Sequence, residues 1–304
     1  MFHKLKVLRR VINRIDNMDY SVSEIVQYHA VKQRLRDSFL HSVEKGTASP
    51  GNPDTGLVVS LTTHGMRIDY VPYAIESVFG QTVKPDRVVL YLGAGEFEGK
   101  TLPIALQRQM ERGLEIRYVE DIGPHTKLIP AMKEFPEATI ITVDDDYMYP
   151  YDMIERLVRV HEKNPGAVCC SHSTIIEKAS SRKLKSSRSF PLCVPDKEYC
   201  SPALFAQGFG GILYPPHSLP EEVFDIQLMK ELAPHADDIW FKAMELLAGT
   251  PVVQMPRDKY WYGELTSESH VQSGGLLNYN VNRNGNDVQF EKVFSHFCLY
   301  DKID

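Results

Sequence analysis

No stretch of this 304-residue chain approaches the roughly 18 consecutive apolar residues of a membrane-spanning helix. Its N-terminus also lacks the unbroken apolar core of a secretory signal. The expectation is a cytoplasmic protein. Cysteine is sparse and odd in number: five residues, with Cys169 and Cys170 adjacent and no C-x-x-C pair. That excludes a disulfide framework or a ribbon-type zinc site and fits buried, reduced thiols. An excess of basic charge is missing as well. Lys and Arg number 34 against 40 Asp and Glu, a net charge of −6, so the footprint of a nucleic-acid binder is absent and no nucleic-acid partner is expected. There is no internal repeat, no low-complexity tract and no Gly-rich loop ending in Gly-Lys-Ser or Gly-Lys-Thr.

What is present falls into two parts. Residues 1 to about 45 read as helical. Within "MFHKLKVLRRVINRID", Leu5, Leu8, Ile12 and Ile15 recur at helical spacing among Lys4, Arg9, Arg10 and Arg14. Such a helix can pack on protein or lie on an anionic membrane surface. "EKGTASPGNPDTG" then reads as a linker. Residues 1–50 are thus taken as a helical segment and linker, and 51–304 as one α/β domain with halves at 51–150 and 151–304. In the first half, apolar strands at 56–64, 86–93, 114–121 and 138–143 alternate with helices at 71–81, 103–113 and 127–135. That alternation predicts a mainly parallel, Rossmann-like sheet flanked by helices. Ligands of such sheets bind beyond the carboxyl ends of the strands. The second half is less regular: a helix over 152–165, a strand at "GAVCCSHS", and a basic, serine-rich stretch at 177–189.

The fourth strand ends in "ATIITVDDDYMYP", three adjacent carboxylates, Asp144, Asp145 and Asp146. Three like charges at a strand end call for a positive partner. Strand alternation would point Asp144 and Asp146 to one side and Asp145 away, a donor pair suited to Mg²⁺ or Mn²⁺. A calcium loop does not fit, because Tyr147 and Met148 follow where a Gly would be needed. "VVSLTTHG" offers no nucleophilic Asp for an aspartyl-phosphate enzyme. Later, Asp237 and Asp238 open an apolar helical stretch, where local sequence alone favours a capping role.

Together "SLTTHGMR", "GPHTKLIPAMKEFPEATIITVDDDYMYP", "QGFGGILYPP" and "ADDIWFKAM" resemble bacterial nucleotide-sugar glycosyltransferases of the GT-A fold. The likeness is to the family-2-like enzymes of capsule and lipopolysaccharide synthesis. It spans about residues 56–290 and implies a metal-dependent transfer, inverting first with a retaining mechanism left open, from a nucleotide-diphosphate sugar, UDP-linked first, to a hydroxyl of a glycan or lipid-linked glycan. By that resemblance Asp146 and Asp144 hold Mn²⁺ or Mg²⁺. Thr62, Thr63, Arg67, Lys127, Asp144 and Asp145 meet the nucleotide sugar. Asp238 is the general base, with Asp237 as neighbour or substitute. Gly210, Gly211 and Trp240 line the acceptor side, where Tyr260, Trp261 and Tyr262 are further candidates for a sugar-stacking wall. The basic N-terminal helix would make the membrane contact peripheral, on the inner face. The alternatives are a non-catalytic glycan-binding scaffold on the same fold and, further off, a sugar nucleotidyltransferase. The one Gly of "SLTTHGMR" argues against the latter, which typically carries a Gly-rich phosphate loop.

Overall fold

The computed structural model describes residues 26–48, 56–256 and 284–304. The expected basic helix at the N-terminus, Tyr260, Trp261 and Tyr262 lie outside them. Two compact units meet between Ser42 and Val43. In the first, residues 26–41 are helical (α1).

The second unit is built on an eight-stranded sheet. Its strands are β1 (Leu57–Thr63), β2 (Arg87–Gly93), β3 (Leu114–Val119), β4 (Thr139–Thr142), β5 (Val168–Cys170), β9 (Tyr199–Cys200), β11 (Ile212–Tyr214) and β12 (Val252–Gln254). They are ordered β3-β2-β1-β4-β11-β5-β12-β9. The first four run parallel. β11 is antiparallel to both β4 and β5, and β9 is antiparallel to β12. Beside the sheet lie two short ladders, β6 (Ser173–Ile175) with β10 (Leu204–Ala206), and β7 (Lys178–Ser180) with β8 (Lys183–Leu184). The expected mainly parallel α/β sheet flanked by helices is therefore what forms.

Alternation along the strands builds two apolar layers. Val58, Val89, Tyr91 and Ile140 enter one core, whereas Val59, Leu61, Val88, Leu90 and Ile141 enter the other. The second core is closed by α2 (Val71–Phe79), α4 (Ile104–Glu111) and α6 (Met153–Lys163). The first is closed by α5 (Ile129–Glu134), α7 (Ile226–Leu232), α8 (Asp237–Ala248) and α9 (Gly285–His296). A short helix, α3 (Ala94–Phe97), follows β2. Both faces being covered, the strands need near-continuous apolar sequence, which "LVVSLTT" and "RVVLYLG" provide. Each fully buried aliphatic or aromatic side chain contributes roughly 1.5–3 kcal/mol.

Part of the expected linker is pinned to this unit. Gly46 N–H donates to Arg112 O at 2.9 Å and Ala48 N–H to Pro85 O at 2.8 Å. Gly46 lies flat on the Phe79 ring, where any side chain would collide.

The strand order also positions the site. From β1 the chain moves outward through β2 and β3, then returns to the other side of β1 as β4. The crevice beyond the carboxyl ends of β1 and β4 is the switch point at which ligands of open α/β sheets bind.

Candidate active site

At that crevice Thr63, the last residue of β1, donates through Oγ1 to Asp145 Oδ2 at 2.5 Å. A 3₁₀ turn, Gly65–Asp69, follows and carries Arg67. Its Nη1 lies 2.8 Å from Asp145 Oδ1, and its Nη2 pairs with Asp146. Thr62 turns instead to the sheet, donating to Tyr91 O at 2.8 Å. The triplet therefore does not alternate as a strand. β4 ends at Thr142, so the pleat stops before Asp144. Asp145, expected to face away, is buried and shares Arg67 with Asp146. Asp144 goes elsewhere: its backbone N–H donates to the Tyr149 hydroxyl at 2.7 Å, and its carboxylate accepts from Lys127 Nζ at 2.6 Å.

Lys127, which by residue type alone reads as a surface lysine, is buried. The 3₁₀ turn Gly123–Lys127 brings it under the sheet end, where its backbone carbonyl accepts from Ser60 Oγ. Its Nζ also stands 2.9 Å from Asp237 Oδ2. Asp237 and Asp238 are the first two residues of α8, and the N-cap is Ala236, so neither caps the helix. Asp238 instead accepts from Gly208 N–H with both oxygens at 3.1 Å. Only glycine fits at 208: a Cβ there would stand 2.6 Å from Lys127 Nζ and 3.0 Å from Asp238 Oδ1.

Burial and charge set the protonation of this cluster. Burial pushes Asp145 up to about 6 and Asp146 up to about 7, against the pull of Arg67. Burial would raise Asp237 too, but Lys127 and then His125 outweigh it and hold that carboxyl low. Asp238 is driven well above the carboxylate range, by burial and then by Asp237 next door. For Lys127, burial opposes the charge, yet Asp144, Asp237 and Asp238 more than offset it. The result is one ionised carboxylate and one strongly basic carboxyl side by side, an arrangement that suits proton transfer.

The residues expected on the acceptor side are placed differently. Trp240 is fully buried in the core, its indole N–H donating to Val223 O at 3.2 Å. Gly210 packs against Ser171 and His172, and Gly211, at φ +93°, packs against Met153. Their lack of a side chain serves close packing, since Ser171 and His172 leave no room at Gly210 and the α6 residues Met153 and Leu157 leave little at Gly211. Two residues that sequence reasoning missed form a half-buried aromatic pair beside the cluster. Tyr147 and Phe209 stack at 5.0 Å between ring centroids, with His172 against Phe209 at 4.8 Å. Each follows a residue of the cluster, Asp146 and Gly208, which was the available signal.

A divalent cation is compatible with this donor set. Asp144 and Asp146 each bind their cation through one carboxylate oxygen. Among the described residues no three His, Cys, Asp or Glu side chains form a closed metal shell. Two carboxylates completed by water and phosphate oxygens is the mode Mg²⁺ favours.

No family model matches the chain, and no curated protein is similar in sequence. Among the solved structures similar to it are the following three. The mannosyltransferase PcManGT from Pyrobaculum calidifontis, in complex with GDP-Man and Mn²⁺, is 14% identical with a TM-score of 0.39, covering 81% of this chain and 69% of that one. S. aureus TarS 1-349 in complex with UDP is 12% identical with a TM-score of 0.44, covering 67% and 59%. The UTP-bound UGPase from Acinetobacter baumannii is 8% identical with a TM-score of 0.42, covering 79% and 99%. None of the described helices is long and apolar enough to cross a membrane.

Proposed function

We propose that the protein is a glycosyltransferase that moves a sugar from a nucleotide diphosphate, UDP first, to a hydroxyl of a bacterial surface glycan. One observation carries this reading: buried Lys127 bridges Asp144 at the end of β4 to Asp237 at the start of α8, at 2.6 and 2.9 Å. That bridge ties a phosphate-side carboxylate cluster to an acid–base pair in one crevice, which is what a displacement at an anomeric carbon requires. In its ionised form, which burial makes scarce and strongly basic, Asp238 takes the acceptor proton as the acceptor oxygen bonds to the anomeric carbon. The bond from that carbon to the diphosphate oxygen breaks, and the leaving oxygen keeps the electron pair. Arg67 and Lys127 supply positive charge where negative charge develops. Mn²⁺ or Mg²⁺ on Asp144 and Asp146, when bound, acts as a Lewis acid toward the diphosphate. Thr63 holds Asp145 and, with it, the floor of the nucleotide side. The Tyr147–Phe209 edge offers an aromatic surface to the acceptor sugar. A lipid-linked acceptor would give the basic N-terminal stretch its use. Deleting residues 1–16 should then abolish binding to anionic vesicles.

Calorimetric binding of UDP, GDP and CMP, each with and without Mn²⁺, tests the donor site on wild type and Asp146→Asn. Binding of one nucleotide that needs both the metal and Asp146 supports the reading and names the donor. No binding of any nucleotide would sink it and bring forward a glycan-binding scaffold. Asp238→Asn should keep nucleotide affinity and lose turnover by at least about 100-fold, the scale of general-base catalysis.

A further inference from the structure

Arg67 answers the question of what neutralises the aspartate triplet, and one of the two carboxylates it holds is Asp146, a proposed ligand of the divalent cation. Its guanidinium reaches Asp145 Oδ1 with one nitrogen and Asp146 with the other, while Thr63 occupies the remaining oxygen of Asp145. This is a side-by-side guanidinium hold on two carboxylates. The hold is incomplete, because Arg67 Nε is buried and donates to nothing among the described residues. The turn that carries it lies at the surface with room around it. Gly65 sits at φ +56° with no atom within 4 Å of where a Cβ would be. His64, Gly65 and Met66 are exposed, and the Gly65 N–H is held by Glu96 Oε1 at 3.0 Å at the surface.

A guanidinium and a divalent cation cannot share the same carboxylate edge, because each is positive and each needs the lone pairs that the other would take. We infer that Arg67 is a resident counter-ion that competes with a divalent cation for Asp146. A diphosphate relieves that competition by drawing the guanidinium onto its own oxygens. The inference rests on the donor site proposed above. It makes Arg67 a positioning residue with two stations, the triplet in the free protein and the phosphate in the loaded one. If metal and diphosphate both favour the displaced station, each must raise the other's affinity by the same factor.

The test is calorimetric titration of Mn²⁺ alone, UDP alone and each in the presence of the other, on the full chain. In wild type, UDP should tighten Mn²⁺ binding by roughly tenfold or more, within the usual span of coupling between sites. In Arg67→Gln, Mn²⁺ alone should bind roughly tenfold tighter than to wild type, and the coupling factor should fall toward one. Should that variant fold poorly, Arg67→Lys, whose single ammonium cannot span both carboxylates, should give an intermediate Mn²⁺ affinity. Unchanged or weaker Mn²⁺ binding in either folded variant overturns the inference, as does an absence of coupling in wild type that binds both ligands. The Mn²⁺-only arm contains no nucleotide. Tightening there together with no UDP binding would sustain the competition while removing the donor reading.

Discussion

At the residue scale the site turns on Lys127 and Gly208. Lys127 is buried among Asp144, Asp237 and Asp238, and its charge is what permits three carboxylates to sit there. Lys127→Met should cost about 3–5 kcal/mol at neutral pH, the cost of leaving buried charge unpaired. The loss should shrink at pH 4, because without Lys127 the buried Asp237 is no longer held ionised and takes up a proton, which urea unfolding at the two pH values would read. Gly208→Ala acts more locally. Its methyl would press on Lys127 Nζ and Asp238 Oδ1, costing about 1–3 kcal/mol as overpacking does. The larger effect should fall on turnover, because the methyl pushes Asp238 off the backbone N–H of residue 208 that aims it. A urea midpoint and kcat/KM measured together separate the two.

Among elements, the 3₁₀ turn Gly123–Lys127 and the first turn of α8 act as one unit. His125 lies between them, its ring edge-on to Phe241 at 5.9 Å and its Nδ1 3.3 Å from Ile122 O. Its Nε2 is buried without a hydrogen-bond partner among the described residues. Burial, opposed by Asp237 and reinforced by Lys127 and His235, lowers its pKa from 6.5 to about 4. The sign follows. Between pH 6.5 and 4 the unfolded chain binds the proton that the folded protein refuses, so stability falls as pH falls through that window. Below about 4 the contribution is gone. Relative to His125→Gln, wild type should therefore lose about 2–3 kcal/mol between pH 7 and pH 4. Parallel denaturation curves for the two proteins at both pH values would contradict this.

For the molecule as a whole, a crevice lined by costly carboxylates is stabilised by its ligand. Asp145 and Asp146 are held above the ordinary carboxylate range by burial, so ionising them works against folding. At about 100 times its dissociation constant, a nucleotide bound with Mn²⁺ should stabilise the protein by about 2.7 kcal/mol. For a unit of this size that is a rise in Tm of roughly 5 °C or more. Asp146→Asn should lose that response while its unliganded Tm holds or rises. A calorimetric scan with and without UDP and Mn²⁺ checks both statements.

The layout of the sheet was legible because strands buried on both faces must be apolar along their length. "LVVSLTT", "RVVLYLG" and "ATIITV" could hardly be anything else, and the helices between them carry the other period. The triplet was legible for the opposite reason: three adjacent charges after an apolar strand are conspicuous. What the sequence could not settle by itself was which distant residues meet. Lys127 finds Asp144 at a separation of 17 residues, Thr63 finds Asp145 across 82, and Gly208 finds Asp238 across 30. Those meetings follow from β4 returning beside β1, a choice made by the packing of whole layers. Trp240 shows the same limit. An indole suits a sugar platform, but α8 buries Trp240 against Val223 and Phe297, leaving Tyr147 and Phe209 as the aromatic pair beside the cluster. Local pattern determined the elements and the acidic strand end, whereas the charge partners and the half-buried aromatic pair were decided by how the elements pack.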